Sequence, residues 1–304
     1  MSPWAICRDA IAQELGKRIF VDVDVLSAEQ DLSAGGRLHV RVGCEFEMTV
    51  GAPTPAVLMV QPKLEGSVAI VEEHWDVQPA TPFREGVGAL GNRVRRLVLP
   101  VGDFRFRYDA TVTTSSDADA TDLSAQQIDP HELADEMLIY LLPSRYCPSD
   151  ALLDKAWEIF GGVEPGWSRV QAISDWVHDN IRFDYLCTST TKTATDTFEL
   201  RVGVCRDFTH LAVAFCRALN VPARYVFGYL PDIGVVVADA PMDFCAWMEV
   251  YLSGRWWTFD PRNNQRRIAH LVIGRGRDAA DVPMIMTFGT PTLTNMIVWA
   301  DQVL

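Results

Sequence analysis

The sequence predicts an α+β protein in which an N-terminal antiparallel β domain precedes a core of helices followed by strands. Three observations carry this expectation. Residues 38–50 alternate apolar and polar side chains with a period of two. From Cys205 onward, apolar residues recur at three- and four-residue spacing. Between these regimes lies a small, polar, acidic stretch, TSSDADATDLSAQQIDP at 114–130, the composition of a linker.

The first strand rests on Leu38, Val40, Val42, Cys44, Phe46, Met48 and Val50, which alternate with mostly polar neighbours, and the tripeptide PTP at 53–55 ends it. Strand-like runs follow at 56–61, 67–73, 93–99 and 103–113. The last of these alternates through Phe104, Phe106, Tyr108, Ala110 and Val112. Turn signals at 86–92 and at Gly102-Asp103 separate them. Several short strands without helices between them predict a sandwich-like domain over 37–130. Residues 1–36 read as a detached extension, with an amphipathic helix over 4–20 and a break at Gly35-Gly36.

The core is expected over 131–304. Ser149 is placed to cap a helix that runs to Phe160 and stops at Gly161-Gly162. A second helix spans about 165–181, with Val170, Ile173, Trp176 and Val177 on one face. A third opens at Cys205 and carries Phe208, Leu211, Ala212, Phe215 and Leu219, with Pro222 beyond its end. Strands then resume at 224–229 and as a hairpin, 246–252 and 255–260, across Ser253-Gly254, a dipeptide suited to a tight turn.

Composition narrows the function. Of 304 residues 48% are hydrophobic, enough for a substantial core, and 40 acidic against 27 basic residues leave a net charge of −13. That balance argues against nucleic acid as a partner. No apolar run reaches the about 18 residues that span a bilayer, so no membrane partner is expected. The N-terminal stretch lacks the basic start, apolar block and cleavage site of a secretory signal. Seven widely spaced cysteines with no CxxC then read as reduced thiols of a cytoplasmic protein. GxG at 274–276 lacks the context of a phosphate loop.

The richest stretch is 203–260. GVCRDFTH places Cys205 at the end of a glycine-containing loop and at the start of a helix. Free backbone N–H groups and the helix dipole stabilise a thiolate there. The same N–H groups can hold an oxyanion during acyl transfer. Cys205 is therefore a candidate nucleophile, against the commoner reading of a buried apolar cysteine.

The stretches GVCRDFTHLAVAFCRALNVPARYVFGY, PMDFCAWMEVYLSGRWWTFDPR and GRGRDAADV, with CEFEMTVGAPTPAVLMVQP and LLPSRYCPSD upstream, resemble the transglutaminase-like superfamily over about residues 40–304. Within it they resemble the bacterial members described as candidate cysteine proteases, which carry an N-terminal β domain. The resemblance implies a papain-like core and a Cys–His–Asp triad that performs acyl transfer on a peptide, amide or acyl-thioester substrate, with no cofactor. Carried over by position, Cys205 is the nucleophile and Asp260 the orienting carboxylate. The histidine position falls within DFCAW, where this chain has Cys245. A neutral thiol, with a pKa near ~8.5, is a poor substitute for imidazole in deprotonating a nucleophile or protonating a leaving group.

Several chemistries stay open for Cys205, Cys245 and Asp260: acyl transfer, two-thiol proton transfer of the racemase or isomerase type, a zinc site completed by a histidine, a redox disulfide, and a silent binding module. No local ligand spacing supports the metal, so none is expected. Trp247, two residues after Cys245, is expected on the same strand face as a cleft-lining, substrate-binding residue, against the alternative of core packing. Arg206 and Asp207 are expected to organise the helix start and Asp243 to fix the loop before the strand. The Thr-rich loop 188–197 is a candidate border of the substrate channel. His210 lies about 140° round the helix from Cys205 and should face elsewhere. His178 is expected beside an apolar face, and the spacing leaves His270 unplaced.

Overall fold

The computed structural model describes residues 36–187, 189–236 and 241–303. The expected helix over 4–20 lies outside them. From Arg37 the alternation becomes a strand as expected. In β1 (Arg37–Val50), Val40, Val42, Cys44 and Phe46 have no exposed area. β1 pairs antiparallel with β6 (Gly102–Ser115) along its whole length, from Arg37 opposite Ser115 to Val50 opposite Gly102. One four-stranded sheet runs in the order β14 (Thr292–Val303), β1, β6, β3 (Ala69–Gln78). A second runs β13 (Ile285–Thr287), β2 (Thr54–Leu58), β5 (Arg93–Leu99), β4 (Arg84–Val87). The two sheets bury one apolar cluster that includes Val42, Phe46, Leu58, Leu97, Leu99 and Phe106.

Two sequence expectations change here. The N-terminal domain does not end at residue 130, because both sheets take a strand from the C-terminus: β14 along β1 and β13 along β2. Nor is 114–130 a free linker. Ser116 bonds back to Gly36, Ala118 bridges to Ile268, and Gln126 accepts from the Ser253 N–H and donates its own N–H to the Ser253 hydroxyl. Ala125, at 1% exposure, belongs to the core of the second domain. Small and polar residues here satisfy the backbone of a strap that crosses the core.

The second domain is built on a sheet ordered β11 (Arg255–Phe259), β10 (Cys245–Leu252), β9 (Ala223–Tyr229), β12 (Leu271–Gly276). The β10–β11 hairpin turns on Ser253 and Gly254, both at positive φ, a turn whose twist matches the paired strands. Among the described residues, four α-helices precede or interleave with the sheet: α1 (Leu153–Phe160), α2 (Trp167–Asn180), α3 (Ala194–Leu200) and α4 (Cys205–Ala218). Ser149 does not cap α1, which starts four residues later with no side-chain cap. α3 occupies part of the expected Thr-rich loop, capped reciprocally by Thr193 and Asp196.

α4 is the central element. It packs on β9 and β10 on one side and on α1, α2 and α3 on the other, so every residue from Arg206 to Ala218 is buried. Burial of Phe208, Leu211 and Phe215 contributes about 1.5–3 kcal/mol each against an exposed reference. The two domains share their cores. Phe227, Tyr229 and Phe244 from the helix-bearing domain join the cluster of the β sheets, and the Tyr229 hydroxyl donates to the Val60 carbonyl at 2.8 Å. The residue before Cys245 is thus wedged between the domains, with the Phe244 ring 6.4 Å from that of Phe46.

Candidate active site

The chain reaches Cys205 through a short parallel pairing of β7 (Arg182–Phe183) with β8 (Val202–Gly203). Val204 is the N-cap of α4 and has no side chain that can accept a bond. Asp207 supplies the cap from inside the helix, accepting from the Val204 N–H at 3.2 Å. Asp207 is 1% exposed, and Arg206 at 2.9 Å and Lys192 at 3.6 Å balance its charge. Arg206 also donates to the Ser189 carbonyl at 2.6 Å. Gly203 is required by this packing: a Cβ there would lie 2.7 Å from the Asp207 Cβ. Arg206 and Asp207 therefore organise the helix start, as their positions suggested. Cys205 then occupies the first turn, where backbone N–H groups have no intrahelical acceptor and the dipole is positive.

Cys245 opens β10, paired with Gly228 of β9, and is 5% exposed while Cys205 is half-buried. Both are free thiols packed in one cluster; the Cys205 sulfur lies 3.9 Å from the Phe244 carbonyl oxygen and the Cys245 sulfur 3.7 Å from that of Ala246. Hydrogen bonding with the neighbouring Cys245 thiol holds the Cys205 thiol below its usual range. Burial opposes this, the Arg262 guanidinium reinforces it, and the carboxyl of Asp243 works against it. The same hydrogen bond pushes the Cys245 thiol well up, and burial and the charges of Cys205 and Asp260 push it further. The pair is asymmetric: Cys205 ionises first and Cys245 keeps its proton. Asp243, before the strand, accepts from the Phe244 N–H at 2.7 Å, and burial lifts its carboxyl to about 6.

Asp260 follows β11 and is 5% exposed. It accepts from the backbone N–H groups of Arg262 and Asn263 at 3.1 and 3.0 Å and from the Asn263 side chain at 2.5 Å. Burial raises its carboxyl, but His270 and Asn263 prevail and hold it below the ordinary range. His270 Nε2 stands 3.7 Å from Asp260, and Nδ1 lies 3.1 Å from an oxygen of Asp119. Burial opposes charge on this imidazole; the two carboxylates outweigh it and raise the group to about 9. The carboxylate expected to orient residue 245 is thus held by a histidine that sequence spacing left unplaced.

Trp247 is not a cleft-lining residue. Its side chain has no exposed area and lies behind the thiols, 4.4 Å from the His270 ring between centroids. It passes over Gly228, where a Cβ would come within 2.6 Å of the indole. Trp247 shares the strand face of Cys245 and clusters with it and with Cys205, but that face is covered at its depth. His210 faces away, as expected: it stacks on Tyr146 at 5.1 Å, accepts from the Ala279 N–H at 3.1 Å, and burial keeps it neutral. His178 approaches the Arg262 carbonyl at 2.8 Å from an exposed position.

Both thiols open onto a cavity of about 1110 Å³ that Arg262, Asn263, Asp243 and Tyr185 also line. From the Thr-rich loop, Thr190 borders it. Among the described residues, no three His, Cys, Asp or Glu side chains are grouped to hold a metal ion. Asp119 and His270 had no local signal: they meet across 151 positions of sequence. The arrangement offers a stabilised thiolate, an adjacent thiol, helix-terminal N–H groups and the Arg262 guanidinium around a partly open cavity. That set suits attack on a carbonyl carbon.

Comparison with known proteins agrees with this geometry. The model of the transglutaminase-like superfamily core matches residues 154–261, which hold Cys205, Cys245 and Asp260. The crystal structure of a candidate cysteine protease from Cytophaga hutchinsonii superimposes with a TM-score of 0.79 at 32% identity, covering 88% of this chain and 91% of that one. An uncharacterized protein of Mycobacterium leprae is 28% identical over 184 residues, 57% of this chain and 66% of that protein. Another, from Mycobacterium tuberculosis, is 32% identical over 166 residues, 51% of each. The chain spans between about half and two thirds of the length of these curated relatives. With the helix-start cysteine, the hairpin carrying positions 245 and 260, and a relative matched over nearly its full length, the chain belongs to the transglutaminase-like superfamily.

Proposed function

We propose that the protein is a cysteine-dependent acyl-transfer enzyme in which Cys205 is the nucleophile and Cys245 does the proton work that histidine does in a Cys–His–Asp triad. The observation that supports this reading is the placement of the two thiols in one cluster at the starts of α4 and β10, where Cys205 is held below and Cys245 pushed above the ordinary thiol range, which leaves one thiolate and one proton in the site. The Cys205 thiolate adds to the acyl carbon while the first-turn N–H groups of α4 hold the oxyanion. As the tetrahedral adduct collapses, the bond to the leaving group breaks and Cys245 gives that group its proton. The products are an acyl thioester on Cys205 and a thiolate on Cys245. Water or an amine then loses a proton to Cys245 and attacks the thioester, which restores both thiols to their starting forms.

The raised Cys245 thiol is a weak acid, so substrates whose leaving group needs little protonation are favoured. An activated ester or thioester fits better than an unactivated amide. Incubation with an acyl thioester, followed by intact-mass and peptide analysis, is expected to place one acyl group on Cys205. Turnover should fall at least about 10³-fold in Cys205→Ser. An active Cys205→Ser protein contradicts the reading. Solvent deuterium in recovered substrate, with no adduct, moves the assignment to two-thiol proton transfer.

A further inference from the structure

The cavity reaches from the thiols to the junction of the two domains, where Phe46, Leu293 and Met296 of the N-terminal sheets join its lining. Near Cys205 it carries charge: Arg206, Arg262 and Asp243. Asp232 and Arg267 also line it, and the apolar part of the lining, the arm, is formed by Met242, Met284, Met286, Met296, Phe227 and Leu293. Met296 and Leu293 come from β14, opposite Phe46 and Met48 of β1, and Met284 precedes β13. Cys205, Met242, Met284, Leu293 and Met296 all pack against the same apolar cluster and line the same cavity.

From this we infer that the acyl group transferred carries a long, unbranched apolar chain, which lies in the methionine-lined arm while its carbonyl sits at Cys205. This inference rests on the acyl-transfer reading and names the substrate class for the same site. The volume, about 1110 Å³, lies above the usual range for a small-molecule site, far more than a short acyl group needs. Methionine has three rotatable bonds and adapts to a flexible chain where branched residues would fix a single shape. A peptide in the arm would bring an N–H and a C=O at every residue, each costing about 1–3 kcal/mol if left unpaired against a methionine wall. A polymethylene chain brings none. The charged groups near Cys205 suit the polar thioester head.

The test is a chain-length series of acyl N-acetylcysteamine thioesters with two, eight and twelve carbons in the acyl group. Each methylene buried is worth at most about fourfold in kcat/KM, so the eight-carbon donor is expected to exceed the two-carbon donor by at least about tenfold. In Met296→Lys the ratio of long- to short-chain kcat/KM should fall at least about tenfold, because the ammonium meets the chain. Calorimetric titration of the Cys205→Ala protein with dodecanoate reads the arm without chemistry and should show saturable binding. If short and long donors react equally and dodecanoate does not bind, the chain inference is overturned and acyl transfer stands. If dodecanoate binds but no donor acylates Cys205, acyl transfer fails while the arm's specificity stands. If an apolar peptide thioester outperforms the dodecanoyl donor, the arm is a peptide site and the inference is wrong.

Discussion

At the scale of residues, the site works by unequal sharing of protons. Cys205 and Cys245 are chemically identical side chains, yet their surroundings drive their ionisation apart. One sits at a helix start near Arg262; the other lies deeper, beside the charge of Asp260. Replacing Cys245 by His supplies a stronger base and a better acid at the same place. In that variant hydrolysis of an amide substrate is expected to rise, by about 10²-fold if proton transfer limits it. A fall in thioester turnover together with no gain on amides would show that Cys245 has a role imidazole cannot fill. His270 carries a separate prediction. Its folded form titrates near 9, above the ordinary imidazole, so the pair of carboxylates stabilises the protein fully below about pH 6.5. That contribution is lost as pH rises through 9. Thermal melts of wild type and His270→Gln should therefore converge between pH 6.5 and 9, with wild type several degrees higher at pH 6. A constant difference across that range contradicts the charged imidazole.

Residues also show where sequence reading reaches its limit. Cys205 was legible because a glycine loop followed by an amphipathic run marks a helix start locally. Cys245 and Asp260 were legible through the hairpin that spaces them and the family motif around them. His270 and Asp119 were not, because their partnership is made by the strap folding back over the sheet, a contact with no periodic trace. Trp247 was assigned to the right face but to the wrong depth, since period two gives direction and says nothing of what lies above.

At the scale of elements, the helix start depends on small residues where neighbouring groups approach closely. Gly203→Ala places a methyl group into Asp207, the residue that caps α4 in place of Val204. Overpacking of this kind typically costs about 1–3 kcal/mol. The expected outcome is a lower denaturation midpoint together with slower alkylation of Cys205, because the cap and the nucleophile share one turn. Loss of stability with unchanged Cys205 reactivity would separate the two. Strands β1 and β6 were readable from the sequence because fourteen residues of alternation leave little ambiguity. β14 was not, although it is twelve residues long. A bulge opposite Glu47 and Met48 breaks its register, and its burial pattern is mixed, so the period of two is blurred.

At the scale of the molecule, the chain closes on itself. The N-terminal β domain takes an outer strand of each sheet from the last twenty residues, and the apolar cluster runs without a gap into the domain that carries the thiols. A fragment of residues 37–130 lacks β13 and β14 and exposes the inner edges of β2 and β1. It is expected to be largely unfolded or aggregated by circular dichroism and light scattering, whereas the sequence boundary alone would predict an independent domain. A cooperative thermal transition in the isolated fragment would contradict this.

The central claim is that Cys245 sets the ionisation of Cys205. It is tested most directly by the rate of Cys205 alkylation with iodoacetamide between pH 5 and 10, followed by peptide mass spectrometry, in wild type and in Cys245→Ala. The wild-type midpoint is expected below that of an ordinary thiol, and to shift upward when the Cys245 thiol is removed. Identical profiles in the two proteins, or a wild-type Cys205 that reacts no faster at neutral pH than the buried Cys147 and Cys216, would contradict it.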